Sequence, residues 1–197
     1  MWKVLPPPEY ESEVTIEESI MMRRSVRNYT DEPLRLEEVS QLLWAAQGLT
    51  AGDGRRTAPS AGALYPLEVY LVAGHVQGLV PGVYHYEARG HQISDIVEGD
   101  VRAQMAGVAL GQSCVRDGAI DIVFTAVHER INQKYGYRGA RYTYMEAGHA
   151  AQNVCLQAAA MNLGVVTIGA FNDEELSRVL NLPGSEEPVY IIAAGRK

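Results

Sequence analysis

Residues 119–127 read Ala-Ile-Asp-Ile-Val-Phe-Thr-Ala-Val, and this nearly continuous apolar run decides the fold. A strand with one face in water alternates apolar and polar residues, whereas an unbroken run suits a strand covered on both faces. Covering it takes helices. The longest helical candidate follows directly, over about 138–163, and at ~25 residues it would span ~37 Å. Its middle is crowded with small side chains: Ala147, Gly148, Ala150, Ala151, Ala158, Ala159 and Ala160. These let another helix approach closely, so the segment is expected to be both the core helix and a subunit contact.

Working outward, 164–168 and 189–194 read as strands after this helix. Between them Asn172-Asp173-Glu174-Glu175 is a capping signal ahead of Leu176, Val179 and Leu180. Upstream, 68–73 and 82–86 are β-rich, 93–97 is a third short strand of a meander, and Asp100 caps a helix to about Leu110. Nearer the start, Thr15-Ile16-Glu17-Glu18 is a capping box for a helix running toward Met22. Leu36, Val39, Leu42, Leu43 and Ala46 recur at helical spacing and predict a second amphipathic helix over 36–47. Residues 1–13, with Pro6-Pro7-Pro8 and acidic Glu9, Glu11 and Glu13, read as an extended, solvated arm. This order is an α+β plan, with helices around a mixed sheet of about five strands, in one domain over 1–197.

Composition narrows the function classes. The 197 residues are 47% hydrophobic and 21% charged, with a net charge of -7, which argues against a broad grip on nucleic acid or an anionic membrane. Two cysteines, Cys114 and Cys155, make neither a disulfide framework nor a four-thiolate zinc site. No stretch reaches the ~18 apolar residues of a membrane span, and three prolines interrupt any leader, so a cytoplasmic protein is expected.

Three stretches could carry chemistry. Arg23, Arg24, Ser25 and Arg27 offer guanidinium forks and a hydroxyl suited to a phosphate, in a chain with only three lysines. Read alone, they also fit a solvated loop whose arginines pair with Asp31 and Glu32. Pro59-Ser60-Ala61-Gly62-Ala63-Leu64-Tyr65-Pro66 is a run of small residues before a strand, where backbone can come close to a flat ligand; a plain connector is the alternative. Ile168-Gly169-Ala170 ends a strand and turns into a capped helix, which serves either to present N–H groups or simply to turn tightly. Gly52-Asp53-Gly54 lacks the third glycine of a dinucleotide fingerprint, and Glu146-x-x-His149 lacks the second copy a di-iron bundle needs. Glu146 and His149 are therefore expected to hydrogen-bond at a helix interface.

In this order, the arginine run with Tyr29, Leu42-Leu43-Trp44-Ala45-Ala46-Gln47-Gly48, the 59–68 stretch, Lys134-Tyr135-Gly136, Glu146-Ala147-Gly148-His149-Ala150-Ala151-Gln152-Asn153 and Gly169-Ala170-Phe171 resemble the nitroreductase-like flavoproteins. The chain is most similar to the SagB-type branch, whose best-known members oxidise azolines to azoles in modified peptides. The resemblance implies an intertwined homodimer with FMN at the subunit interface, reduced by NAD(P)H or by an oxidisable substrate, with a small molecule or a modified peptide as partner. It implies that Arg23, Arg24, Ser25 and Arg27 hold phosphate and ribityl chain. Pro59, Ser60, Ala61 and Gly62 would flank the flavin from the partner subunit, and Ile168, Gly169 and Ala170 would face its N5 side. Arg196 would close on the phosphate, and Lys134 and Tyr135 would be candidates for proton abstraction. A flavin-binding sensor without turnover is the reading from another class.

Overall fold

The computed structural model describes residues 2–197, built on one seven-stranded sheet. In chain order its strands are β1 (Trp2–Val4), β2 (Leu67–Ala73), β3 (Gly82–Glu87), β4 (Gln92–Glu98), β5 (Ile120–Ala126), β6 (Leu163–Ile168) and β7 (Glu187–Arg196). The helices are α1 (Ile16–Met22), α2 (Leu36–Gln47), α3 (Arg102–Val108), α4 (Ser113–Asp117), α5 (His128–Tyr135), α6 (Gly139–Ala160) and α7 (Asp173–Val179). Across the sheet the order is β1-β4-β3-β2-β5-β7-β6, and every pairing between these strands is antiparallel.

The 119–127 run lies near the middle of the sheet as β5, wholly buried between β2 and β7. Ile120, Ile122 and Phe124 face one core, packed under α2 and the alanines of α6. Val123 faces the other, closed by Met105, Ala106, Cys114, Leu176 and Leu180 of α3, α4, α7 and the residue following it. That two-sided cover is what the missing alternation required. The expected capping box and second cap are also in place: Thr15 Oγ1 accepts from the Glu18 amide at 3.2 Å, and Asn172 Oδ1 accepts from the Glu175 amide at 2.9 Å.

Some expectations need correction. The sheet has seven strands rather than about five, and every pairing between them is antiparallel. The arm over 1–13 is not merely extended and solvated. Trp2–Val4 pairs with β4, and the Pro6 carbonyl lies in a buried cluster with Ser40 and His91. A three-residue strand is too short to leave a periodic signal. Residues 128–135 form helix α5 where a loop was expected, and α6 covers 139–160 rather than 138–163, its entry tightened by a 3₁₀ turn at Gly136–Arg138. Among the described residues no helix is long and apolar enough to cross a membrane.

Candidate functional site

Two glycines fix where the arginine run lies. Gly164 of β6 and Gly195 of β7 are cross-strand partners, so together they leave a flat patch on the sheet. Val26 and Tyr29 fill it: a Cβ at Gly164 would come within 2.8 Å of Val26 Cγ1, and one at Gly195 within 2.9 Å of the Tyr29 ring. The Val26 amide donates to the Val165 carbonyl at 2.9 Å, and the Tyr29 hydroxyl donates to the backbone carbonyls of Val26 and Ala193. The segment is thereby laid parallel to the end of β6, bridged at Ser25 and Val165.

Beside it runs a groove. Arg23 and Ser25 line it together with Gly148, Ala151 and Cys155 of α6, Thr167 of β6 and Tyr190 of β7. It adjoins a cavity of about 250 Å³ reached by Arg23, Arg24 and the chain's last residue, Lys197. Neither the Arg23 nor the Lys197 side chain makes a hydrogen bond or ion pair among the described residues, and no arginine of this run pairs with Asp31 or Glu32. A free guanidinium, a free ammonium and a hydroxyl over small residues form a donor set that fits a phosphate ester. Arg24 donates to the Met21 and Arg23 carbonyls, and Arg27 is exposed outside the groove lining. Arg196 is not in the groove: its guanidinium pairs with Glu38 of α2 at 2.9 Å. Burial would raise the Glu38 carboxyl, but bonds from Arg35 and the Arg196 charge hold it below the usual carboxylate range. Lys197, one residue on, lines the adjoining cavity with Arg23.

The 59–66 stretch is a strained turn. Gly62 sits at φ 65°, and Ala63 and Tyr65 also take left-handed backbone, at 54° and 46°. Each of those two side-chain-bearing residues costs roughly 1–2 kcal/mol there, so the surroundings must hold them. The Tyr65 amide donates to Ser60 Oγ at 2.9 Å, the Tyr65 hydroxyl accepts from the Arg56 amide, and the Arg56 guanidinium lies 4.7 Å above the Tyr65 ring. On the outer side, a Cβ at Gly62 would come within 2.9 Å of Tyr135 Oη and 3.0 Å of Lys134 Nζ. The fold therefore brings Lys134 and Tyr135 to the Ser60–Gly62 turn, across 72 residues of sequence. Arg130, one helical turn before Lys134, fixes α5 there by pairing with Glu68 and donating to the Tyr65 carbonyl.

Glu146 was not anticipated in this role. Rather than pairing with His149, which is exposed, it turns inward, where Gln47 Nε2 donates to its Oε1 at 3.4 Å. Oε2 has no hydrogen-bond partner among the described residues, and burial pushes the group up to about 7. Asn153, two turns on, holds the same loop through the Thr57 carbonyl. Gly169 and Ala170 are exposed at the end of β6 while Ile168 is buried, with the Ala170 carbonyl accepting from Gln112.

The two parts lie on opposite flanks of α6. At about 100° per residue, the nine steps from Glu146 to Cys155 make two and a half turns. Glu146 and Asn153 face the strained turn, and Gly148, Ala151 and Cys155 face the arginine groove.

The description "Nitroreductase family" matches residues 20–196. MJ1384, a nitroreductase-type protein of Methanocaldococcus jannaschii, is 42% identical over 94% of this chain and 92% of its own length. The crystal structure of a nitroreductase-type protein of Ralstonia eutropha superposes with a TM-score of 0.85 at 28% identity, covering 99% of this chain and 89% of that one. A chain of the Escherichia coli microcin synthetase McbBCD complex with truncated pro-MccB17 bound gives 0.78 at 26% identity, over 99% and 78%. With its sheet order, the glycine patch under the arginine run and the strained turn beside Lys134 and Tyr135 all accounted for within that extent, the chain belongs to the nitroreductase family of oxidoreductases.

Proposed function

We propose that the chain works as an FMN-dependent oxidoreductase, in a homodimer whose pockets are each completed by two copies. The observation that carries this reading is the placement of the two half-sites on opposite flanks of α6. One copy's arginine groove cannot close over its own Ser60–Gly62 turn through the helix, whereas a second copy can bring its turn to the first copy's groove. The exposed stripe of α6 at Tyr144, Met145, Gly148 and Gln152 offers the close approach, with a small residue at its centre.

Arg23, Ser25 and Lys197 would hold the phosphate, with Arg24 and Arg27 adding positive charge around it. Pro59, Ser60, Ala61 and Gly62 would bring backbone beside the ring, and the turn at Ile168, Gly169 and Ala170 would bound its other side. When bound, FMN supplies hydride acceptance and release, with NAD(P)H or the substrate itself as the reductant. The protein contributes charge for binding and a water-poor, rigid turn for orientation. Purified chain should carry a flavin spectrum, and Arg23→Ala should weaken FMN binding at least tenfold; a colourless protein indifferent to added FMN, or a monomer by light scattering, overturns the reading.

A second reading, dehydrogenation of azolines in a modified peptide, is favoured by one observation: Lys134 Nζ and Tyr135 Oη meet at Gly62. Lys134 has no acidic partner among the described residues and could take up a substrate proton beside the hydride acceptor. The similarity to the microcin synthetase chain supports it. In that case Lys134→Ala and Tyr135→Phe abolish azoline oxidation while FMN stays bound, and normal turnover in both variants argues for the simpler reductase.

A further inference from the structure

We propose that Glu68 is a positioning residue: its carboxylate joins the sheet to α5 through His85 and Arg130, and so sets where Lys134 and Tyr135 stand against Gly62. The chemistry at that spot rests on the reading above, whereas the tie itself rests on hydrogen bonds and an ion pair within this chain.

Strand geometry brings the groups together. Tyr70 of β2 and His85 of β3 are cross-strand partners, so Glu68, two residues before Tyr70, lies on the same face one diagonal step from His85. A long side chain reaches across that step, and Glu68 Oε2 lies 2.8 Å from His85 Nε2. An ionised carboxylate only accepts, so the imidazole donates. Glu68 Oε1 pairs with Arg130 of α5, and a second nitrogen of that guanidinium donates to the Tyr65 carbonyl at 3.2 Å. Each carboxylate oxygen therefore has its own partner, on a different element. Burial would raise this carboxyl, but the bonds from His85 and Arg130 hold it below the usual carboxylate range, so it stands there as an anion.

Helix α5 needs such a tie because its own packing is thin: Ile131 is the one buried residue of its eight. Its start is pinned by the Val127 amide, which donates to the Pro66 carbonyl at 2.8 Å, and by His128, which meets Glu187 at 3.3 Å. Both contacts act on the first turn. The far end, which carries Lys134 and Tyr135, is left to Ile131, to an edge-on contact of Tyr135 with the Tyr142 ring, and to Arg130. Arg130 and Lys134 are four residues apart and share one helix face, so fixing the first fixes the base from which the second reaches Gly62. The carboxylate also offsets the like charge of Arg130 on that face. Without it, Arg130 keeps a bond only to the Tyr65 carbonyl, and the distance from α5 to the strained turn is no longer set from the sheet.

The test uses the full chain with FMN, following steady-state oxidation of NADPH with a quinone as acceptor. Glu68→Ala and Arg130→Ala should each lower kcat about tenfold, while the KM for NADPH and the affinity for FMN change less than about threefold. The double variant should be no worse than either single one, because both remove the same tie. Glu68→Gln, whose amide oxygen still accepts from Arg130, should recover most of the lost kcat. Hydrogen exchange on the flavin-free chain gives a second readout. Glu68→Ala should speed exchange at the Gly136 amide, which donates to the Asn132 carbonyl, by about tenfold or more, and leave the Val127 amide as in wild type. If Glu68→Ala does not fold, Glu68→Leu, which fills the same space, carries the same expectations. Wild-type kcat in the variant, losses that multiply in the double variant, an equal loss of FMN affinity, or unchanged exchange at Gly136 overturns the proposal. If wild type binds no FMN or oxidises no NADPH, the reductase reading fails, and exchange at Gly136 still decides whether Glu68 sets α5.

Discussion

Replacing Asp121 by Asn should stabilise the protein progressively as pH rises. Asp121 stands in the middle of β5, 0% exposed, and neither of its carboxyl oxygens has a hydrogen-bond partner. The nearest cation, Arg102, is committed elsewhere: its guanidinium is bonded to Asp100 and to the Gly118 carbonyl, both at 2.6 Å. Burial accordingly holds the Asp121 carboxyl well above the carboxylate range, and Asp100 adds to this against the pull of Arg102. The unfolded chain gives up that proton near pH 4, and the folded chain keeps it. Folding thus takes up a proton at neutral pH, and stability falls by about 1.4 kcal/mol for each pH unit above the ordinary carboxylate value. Asparagine has the same size and leaves similar polar groups unsatisfied, so it changes little at low pH, but it cannot ionise in the unfolded chain. Urea unfolding at pH 5, 6 and 7, followed by circular dichroism, should therefore show Asp121→Asn pulling ahead of wild type by roughly 1.4 kcal/mol per unit. Glu146 titrates over the same range in both proteins and cancels in the difference. Parallel curves would refute the reasoning, because they would mean that the folded protein keeps Asp121 as an anion with Arg102 as its counter-charge.

Gly62→Ala should leave the fold standing, at a cost of about 1 kcal/mol from the positive φ, yet lower turnover, because the new methyl displaces Tyr135 Oη and Lys134 Nζ. Thermal unfolding and steady-state kinetics separate the two effects, and unchanged turnover would detach the turn from the chemistry. Arg130→Ala removes the tie from α5 to Glu68 and the Tyr65 carbonyl. A partly exposed pair of this kind contributes about 1 kcal/mol or less, so the melting temperature should drop only slightly while turnover falls more than flavin affinity.

The sequence was most readable where a physical rule acts over several residues at once. The buried strand at 120–126, the amphipathic helix at 36–47, the capping box of α1 and the Asn172 cap of α7 follow from periodicity and from hydrogen bonds between residues three apart. The arginine run and the strained turn were legible as residue types, but not as neighbours of anything. Nothing in residues 128–135 announces that Arg130 fastens α5 to Tyr65 and Glu68 and so sets Lys134 and Tyr135 against Gly62. Glu146 was visible but assigned the wrong partner. Its (i, i+3) spacing to His149 suggested a pair on one helix face, whereas its hydrogen bond comes from Gln47, 99 residues away. The signal that could have found it is a lone acid in a run of alanines and glycine, where burial is expected and a hydrated carboxylate is not.

The assignment of Arg196 and Lys197 follows the same logic of partners rather than positions. In a chain of net charge -7, acids outnumber bases, and half of the fourteen arginines are ion-paired among the described residues: Arg35 and Arg196 share Glu38, and Arg55, Arg102, Arg116, Arg130 and Arg178 each meet an aspartate or glutamate. Against that background Arg23, Arg24 and Lys197 are set apart by lining one cavity with no acidic partner among the described residues. Glu38 explains the split. It is 4% exposed, and without the Arg35 and Arg196 bonds it would be a buried charge left nearly bare. Arg196 therefore serves the fold, and drawing it toward an anion would strand Glu38 at a cost of several kcal/mol. Lys197 has no such obligation. Under the proposed function it is therefore Lys197, with Arg23, that is left to meet a dianionic ester.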